Sequence, residues 1–192
     1  VLHDGPAPFG AFGSWKTSET HAWRAASSRP PTPAERAEIQ QRVRAVRLAH
    51  AQERTAVQAA ARTKAQKLWE RAHPASNGHP YLVRKRIRSY GLRQLRDMLL
   101  VPARDLQGTL HTLQFIMADG SKRFLTGGRI AGCYFAMGRP ADSLLLCEGY
   151  ATGATLHQAT GCAVAVAFNC GNLPAVARAL RAKFPALRIV VC

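Results

Sequence analysis

Leu144-Leu145-Leu146-Cys147-Glu148-Gly149-Tyr150 is the stretch of sequence that decides the fold. Residues 143–147 form a short, mostly apolar run with the length of a buried strand, and an acid and a glycine follow it. The next segments are predicted to alternate: a helix over 151–160, a strand over 163–168, a helix over 173–184 and a strand over 188–192. This order predicts parallel β-α-β units with right-handed crossovers.

Glu148 is predicted to lie where the first of these strands ends and a helix begins. Binding sites in open α/β sheets lie at the carboxyl ends of the strands. A carboxylate at that position is suited to bind a divalent metal or to act as an acid or base. The alternative is structural, because an acid at a helix N-terminus is favoured by the helix dipole. The spacing alone leaves both interpretations open.

The preceding segment, 73–140, is predicted to be a basic antiparallel meander. Strands are expected over 99–105, 109–117 and 122–125, separated by a turn at 106–108 and a tight turn at Asp119-Gly120. The segment holds eleven Lys and Arg against three Asp. Cations on a sheet edge suit a phosphate backbone or a triphosphate. They also protect edge strands from aggregation, and this second interpretation stays open.

A long helix is predicted over 33–72, with Thr32, Pro33 and Glu35 forming a capping box and a favourable first turn. Its large apolar residues are sparse, which favours a solvated connector that is partly docked; a coiled coil is the alternative. Residues 1–32 contain aromatic and turn residues and are interpreted as the remnant of an upstream domain. The start at Val1 indicates the interior of a longer protein.

The charge balance points to polyanionic partners. The chain has 27 Lys and Arg against 11 Asp and Glu, a formal net charge of +16, and such a surface attracts nucleic acid. A merely solubilising surface is the alternative. No apolar run approaches the roughly 20 residues that span a bilayer, so no membrane partner is expected. The five cysteines lack CxxC spacing, which argues against zinc or a disulfide framework and favours a reducing, cytoplasmic location.

The run from Leu144 to Tyr150, followed by a helix and by Ala163-Val164-Ala165-Val166-Ala167-Phe168-Asn169, resembles the Toprim domain. Bacterial-type primases, type IA and type II topoisomerases and some nucleases share this domain. The runs 148–156 and 167–173 are most similar to those of plasmid and phage primases. The resemblance implies that Glu148 is a catalytic ligand of Mg²⁺. It also implies an Asp-x-Asp motif after the third strand, so the chain is expected to stop just short of that motif.

The meander carries a second resemblance, to the segment that precedes Toprim in replicative bacterial primases. Residues 101–108 and 120–125 carry it, and 81–87 resembles the family pattern Tyr-Leu-x-x-Lys-Gly-Ile, with Arg86 at the glycine position. The residues expected to contact nucleic acid or nucleotide are Arg84, Lys85, Arg104, Lys122, Arg123 and Arg129. Gly149, Asn169 and Asn172 are expected near the substrate. Capping of the next helix is an equal alternative for the two asparagines.

The predicted fold class is therefore α+β and α/β: a long helix, a basic antiparallel meander over 73–140, and an incomplete Toprim domain with a Rossmann-like parallel βαβαβ order over 141–192. The resemblance implies a DNA primase that makes RNA primers on single-stranded DNA from nucleoside triphosphates, with Mg²⁺, and a replicative helicase as a further partner. The isolated chain is expected to bind nucleic acid without polymerising. The alternatives are a Toprim nuclease or topoisomerase-like enzyme, and a non-catalytic nucleic-acid-binding module of a mobile element.

Overall fold

The computed structural model describes residues 2–3, 8–14, 19–25 and 32–192. These residues fall into two compact units, 1–53 and 54–192. The segment 1–32, predicted as a remnant of an upstream domain, lies partly outside the described residues. No helix in the described ranges combines the length and the apolarity that a bilayer crossing requires.

The first unit contains a small antiparallel sheet whose strands are adjacent in chain order: β1 (Leu2–His3), β2 (Phe9–Ser14) and β3 (Glu19–Arg24). Helix α1 (Pro33–Arg71) begins in this unit. The predicted capping box is present. The Thr32 backbone N–H donates to Glu35 Oε2 at 2.7 Å, and the Glu35 N–H donates to Thr32 Oγ1 at 3.3 Å.

The second unit contains an antiparallel sheet of five strands and a short helix. They are β4 (His73–Pro74), α2 (Pro80–Lys85), β5 (Arg93–Leu95), β6 (Met98–Arg104), β7 (Leu110–Ile116) and β8 (Lys122–Phe124). The strand order in the sheet follows the chain, β4-β5-β6-β7-β8. Strands β6 to β8 lie where the sequence predicted three strands, and β4 and β5 extend the sheet beyond them.

A mixed sheet of four strands follows. Its elements are β9 (Phe135–Met137), β10 (Ser143–Cys147), α3 (Tyr150–Thr160), β11 (Ala163–Val166), a 3-10 turn (Cys170–Asn172), α4 (Leu173–Lys183) and β12 (Arg188–Val191). The order is β12-β10-β11-β9, with β10, β11 and β12 parallel and β9 antiparallel to β11. The predicted mixed α and β composition with a long helix is thus confirmed.

Alternation along the strands gives each sheet two buried faces. The main core lies between the sheets, where Leu99 and Val101 of β6 belong to the same buried cluster as Val164 and Val166 of β11. The other face of the antiparallel sheet packs against α1 from Ala61 onward, and the other face of the mixed sheet packs against α4. The end of α1 docks through small residues, Ala61 and Ala65, which are both buried.

The backbone at Gly128 lies close to Thr112 of β7. A Cβ placed on Gly128 would lie 2.4 Å from Thr112 Cβ and 3.2 Å from the Leu125 carbonyl oxygen. Gly128→Ala is therefore expected to destabilise the second unit by about 1–3 kcal/mol, because overpacking forces neighbouring atoms to move. Urea unfolding measures this change. Gly149→Ala is the control, since a Cβ there would meet nothing within 4 Å. Equal midpoints for the two variants would contradict the prediction.

Candidate catalytic edge and nucleic-acid interface

The carboxyl ends of three parallel strands meet at one edge of the mixed sheet. The Ala167 N–H donates to the Cys147 carbonyl at 2.8 Å, and the Cys192 N–H donates to the Leu146 carbonyl at 2.9 Å. These bonds hold the last residues of β11 and β12 level with the end of β10. We call residues 147–149, 167–169 and 191–192 the carboxyl edge.

Glu148 is the first residue after β10 at this edge, and its side chain is exposed. In the described part of the chain, no hydrogen bond or ion pair engages its carboxylate. Gly149 is the N-cap of α3, with extended backbone at φ −116° and ψ 153°. Glu148 therefore precedes the cap and lies outside the first turn of α3, so the acid-in-the-first-turn alternative does not describe its position. The carboxylate is free and accessible to a ligand.

Phe168 gives the carboxyl edge an unusual backbone turn. Its φ is 73°, in the left-handed region that bulky residues rarely adopt, at a cost of about 1–3 kcal/mol. Its ring packs edge-to-face against Phe124 of β8, with 5.6 Å between the ring centroids. This contact places the edge strand of the antiparallel sheet beside the end of β11. Lys122, two residues from Phe124, lies on the same face of β8.

The two asparagines after β11 have different roles. The Asn169 side-chain oxygen accepts from the Asn172 N–H at 2.9 Å and caps the 3-10 turn. Asn172 is 5% exposed and makes no side-chain cap. Its Nδ2 donates to the carbonyls of Ala167 at 2.8 Å and Cys133 at 2.9 Å, and its Oδ1 accepts from the Gly132 N–H at 2.8 Å. The capping alternative therefore holds for Asn169, while Asn172 ties the loop 130–133 to the carboxyl edge.

Four of the predicted nucleic-acid-binding cations are exposed around the β7–β8 turn. Arg84 Nη1 donates to the Ala118 carbonyl at 3.0 Å, which holds α2 against this turn. The side chains of Lys85 and Lys122 make no hydrogen bond or ion pair to any residue that the structure describes. The Arg123 guanidinium lies 5.8 Å from the centre of the Phe115 ring, on the opposite face of β8 from Phe124. We call Arg84, Lys85, Lys122 and Arg123 the turn cations.

Arg104 and Arg129 lie elsewhere, near the β6–β7 turn. Arg129 Nη2 is 3.3 Å from Asp105 Oδ2 and 2.7 Å from His111 Nε2, and His111 Nε2 is 2.7 Å from the same carboxylate oxygen. One ring nitrogen cannot both donate to Asp105 and accept from Arg129. The Asp105 carboxylate can accept from both neighbours: from Arg129 Nη2 and, when Nε2 carries the proton, from His111. The nucleotide-binding role of Arg129 stays a prediction, and its guanidinium is engaged in this cluster.

The Asp105 cluster makes stability depend on pH. Burial raises the pKa of Asp105, but hydrogen bonds from His111 and from the Thr109 and Gln107 N–H groups bring the pKa below its usual value of 3.8. Arg129 and Tyr134 also face this carboxyl. Because the folded-state pKa is lowered, the ionised carboxylate stabilises the fold above the unfolded pKa. This contribution is lost as the pH falls through the lowered value.

Asp105→Asn is therefore expected to be less stable than the wild type at pH 6, with a difference that shrinks toward pH 2.5. Urea midpoints at the two pH values measure the change. Asp142→Asn, at an exposed carboxyl of the same unit, is the control. A difference between wild type and Asp105→Asn that does not vary with pH would contradict the assignment of the low pKa to this carboxyl.

Sequence reasoning did not identify Phe168, Asp105 or His111. The left-handed conformation of Phe168 has no sequence signal, because the residue ends an apolar run like any other. Asp105 and His111 stand six residues apart across a predicted hairpin turn, and this spacing could have indicated their contact.

Comparison with known proteins shows that the chain is similar to DNA primases. DNA primase TraC of Escherichia coli is 33% identical over 192 residues, which cover 96% of this chain and 18% of that protein. Another E. coli protein named DNA primase TraC is 38% identical over 126 residues, 62% of this chain and 9% of that protein. The chain thus spans less than a fifth of the length of these relatives. The predicted resemblance to a DNA primase is confirmed.

No family model matches the chain. No solved structure matches it significantly either.

Proposed function

We propose that the chain is part of a plasmid- or phage-type DNA primase, and that the whole protein makes RNA primers on single-stranded DNA in a Mg²⁺-dependent reaction. One observation carries the proposal. Glu148 stands exposed and unpaired at the carboxyl ends of three parallel strands, in a chain similar to DNA primase TraC.

The order β10-α3-β11-α4-β12, with an acid after the first strand, is the order that the Toprim resemblance implies. The conformation of Arg86 gives independent support. It stands where the family pattern has glycine, and it adopts φ 55° and ψ 41° as the C-cap of α2. This is the left-handed region that glycine favours. The backbone at Arg86 thus has the conformation that a glycine at this position would favour.

The residues at the carboxyl edge fit a magnesium ion in part. Mg²⁺ prefers oxygen ligands and takes one or two carboxylates together with substrate phosphates. Glu148 offers such a carboxylate, with open space beside Gly149. Across the described ranges, no group of three or more Asp, Glu, His or Cys could hold a metal ion. We propose that further ligands follow β12, whose end lies beside β10. Bound magnesium would activate the primer 3′-hydroxyl and stabilise the leaving pyrophosphate.

The turn cations are proposed to bind the template backbone and the triphosphate of the incoming nucleotide. Arg84 and Arg123 offer planar groups that bind phosphate through two hydrogen bonds, and Lys85 and Lys122 act as point charges. Lys122 and Arg123 are on the edge strand that contacts Phe168, and Arg84 and Lys85 are on α2, which Arg84 ties to the β7–β8 turn. A phosphate bound by Lys122, which shares a face of β8 with Phe124, is proposed to lie on the side of the carboxyl edge.

Primer synthesis by the full-length protein, on a single-stranded template with ribonucleotides and Mg²⁺, tests the proposal directly. We expect short RNA products; a full-length protein that binds the template but forms no primers would overturn the proposal. The 192-residue chain alone is expected to bind the template and to form no primers, because the described residues place one carboxylate at the edge.

The double variant Lys122→Ala/Arg123→Ala tests the role of the turn cations. We expect the Kd for a single-stranded oligonucleotide to rise about tenfold, since the loss of two charge-assisted contacts costs on the order of 1.4 kcal/mol or more. Fluorescence anisotropy at fixed salt measures the Kd. Arg178→Ala, an exposed cation on α4 at the far face of the mixed sheet, is the control. A Kd that changes no more than in the control would exclude the turn cations from the binding surface.

A further inference from the structure

A groove with a volume of about 610 Å³ lies between the end of α1 and the β6–β7 turn. One wall is helical and the other is formed by the turn. Its charged lining consists of three cations and one acid: Arg62, Lys67, Arg104 and Glu70. The groove is on the face of the antiparallel sheet that packs against α1, whereas the carboxyl edge belongs to the sheet packed against the opposite face.

The helical wall is a continuous stripe beside the docked face of α1. Residues 62, 66 and 70 are spaced four apart, as are 63 and 67, so their side chains lie on one side of the helix. Gln66 Nε2 donates to Glu70 Oε1 at 2.7 Å, which engages the one acid within its own helix. Arg62 and Lys67 are exposed, and no hydrogen bond or ion pair in the described part of the chain engages their side chains. The groove therefore presents free positive charge.

Trp69 holds two arginines together next to this groove. The guanidinium carbons of Arg93 and Arg104 lie 4.7 Å and 5.7 Å from the centre of its ring. Arg93 donates to the Trp69 carbonyl at 2.6 Å, and Arg104 donates to the Gly108 carbonyl at 2.8 Å. Among the residues that the structure describes, neither guanidinium forms an ion pair. Two like charges held this close repel each other, and an anion between them would relieve the repulsion.

Burial and the positive charge of Arg93 both lower the pKa of Arg104. The direction of this shift agrees with a positive charge that has no anionic partner. Carbonyl oxygens satisfy part of the hydrogen-bonding capacity of the two guanidinium groups but supply no negative charge. The remaining N–H donors are available for phosphate oxygens, for which the planar guanidinium is well matched.

We propose that this groove binds phosphate groups of single-stranded nucleic acid, as a second contact site remote from the turn cations. Arg62, Lys67 and Arg104 provide the phosphate contacts, and the stack of Arg93, Trp69 and Arg104 fixes the position of the last. The proposal rests on the proposed function for the identity of the ligand. Occupation of both sites by one strand would lengthen the contact on the template.

The test compares two double variants of the same helix. Arg62→Ala/Lys67→Ala removes two cations from the groove, and Lys64→Ala/Arg71→Ala removes two exposed cations from the other flank of α1. Binding of a thymidine oligonucleotide to the chain is measured by anisotropy over a series of salt concentrations. The groove variant is expected to reduce the slope of log Kd against log salt by about 1.4, or about 0.7 for each lost contact. The flank variant is expected to leave the slope unchanged.

Equal slopes for the two variants would overturn the groove proposal. The proposed function is tested separately. If Lys122→Ala/Arg123→Ala also leaves binding unchanged, the binding surface of the proposed function is lost as well. If Lys122→Ala/Arg123→Ala weakens binding and Arg62→Ala/Lys67→Ala does not, only the groove proposal fails. Inorganic tripolyphosphate is the second probe. If it binds in a manner that depends on Arg62 and Lys67 while the oligonucleotide does not, the groove is a triphosphate site and the single-strand assignment is wrong. Urea unfolding of both variants verifies that the fold is intact.

Discussion

Glu148→Gln is expected to reduce primer synthesis by the full-length protein at least about 100-fold, the scale of losing one group that stabilises charge in a transition state. The substitution keeps the size of the side chain and removes its negative charge. Glu148 is exposed, and no described residue bonds to its carboxylate, so the fold loses no contact. The effect should therefore fall on the chemical step. Rates of primer formation at saturating template and nucleotide measure it.

Asp142→Asn is the matched control for this prediction. Asp142 is an exposed acid immediately before β10, and Glu148 is the exposed acid immediately after it. Both variants remove one negative charge, but only Glu148→Gln removes it at the carboxyl edge. Template affinity is expected to stay within about twofold in both, because phosphate contacts are made by cations. A Glu148→Gln enzyme that retains more than a tenth of the wild-type rate would remove Glu148 from the catalytic site.

The sequence predicted the parallel strands well because their signal is local. The apolar runs before Glu148 and before Asn169 have the length of buried strands, and the segments between them have the length of helices. Strands β4, β5 and β9 were missed, since runs of two or three residues show no measurable periodicity. Their positions are set by pairing with longer neighbours.

The sequence predicted a site residue only where the position of that residue along the chain was enough to identify it. Glu148 followed from its place after a strand. The engagement of Arg129 with Asp105 did not, because the two residues are 24 positions apart and meet only when the hairpin folds. The groove residues Arg62 and Lys67 lie on a helix whose apolar stripe looked too thin to anchor a core. The buried alanines Ala61 and Ala65 pack this helix against the antiparallel sheet instead. Alanine adds little to the apolar periodicity by which a buried helix face is recognised in a sequence.

Asn172→Leu is expected to destabilise the second unit by about 3–5 kcal/mol, a large effect for one substitution. The leucine side chain is close in size, so the loss comes from hydrogen bonds and not from a cavity. The Gly132 N–H and the carbonyls of Cys133 and Ala167 would lose the bonds they make to Asn172. Each buried group left without a partner costs about 1–3 kcal/mol.

Asn169→Ala is the control for Asn172→Leu. Asn169 provides a single capping bond, to the Asn172 N–H, and loss of a cap costs about 0.5–2 kcal/mol. Urea unfolding of both variants gives the comparison, and amide exchange at Gly132 shows whether the loop has been released. Among the hydrogen bonds described, only those of Asn172 join the loop 130–133 to the carboxyl edge. Asn172→Leu should therefore also lower primer synthesis by a full-length protein that is still folded. Equal destabilisation by the two variants would show that the three side-chain hydrogen bonds of Asn172 contribute no more than an ordinary cap.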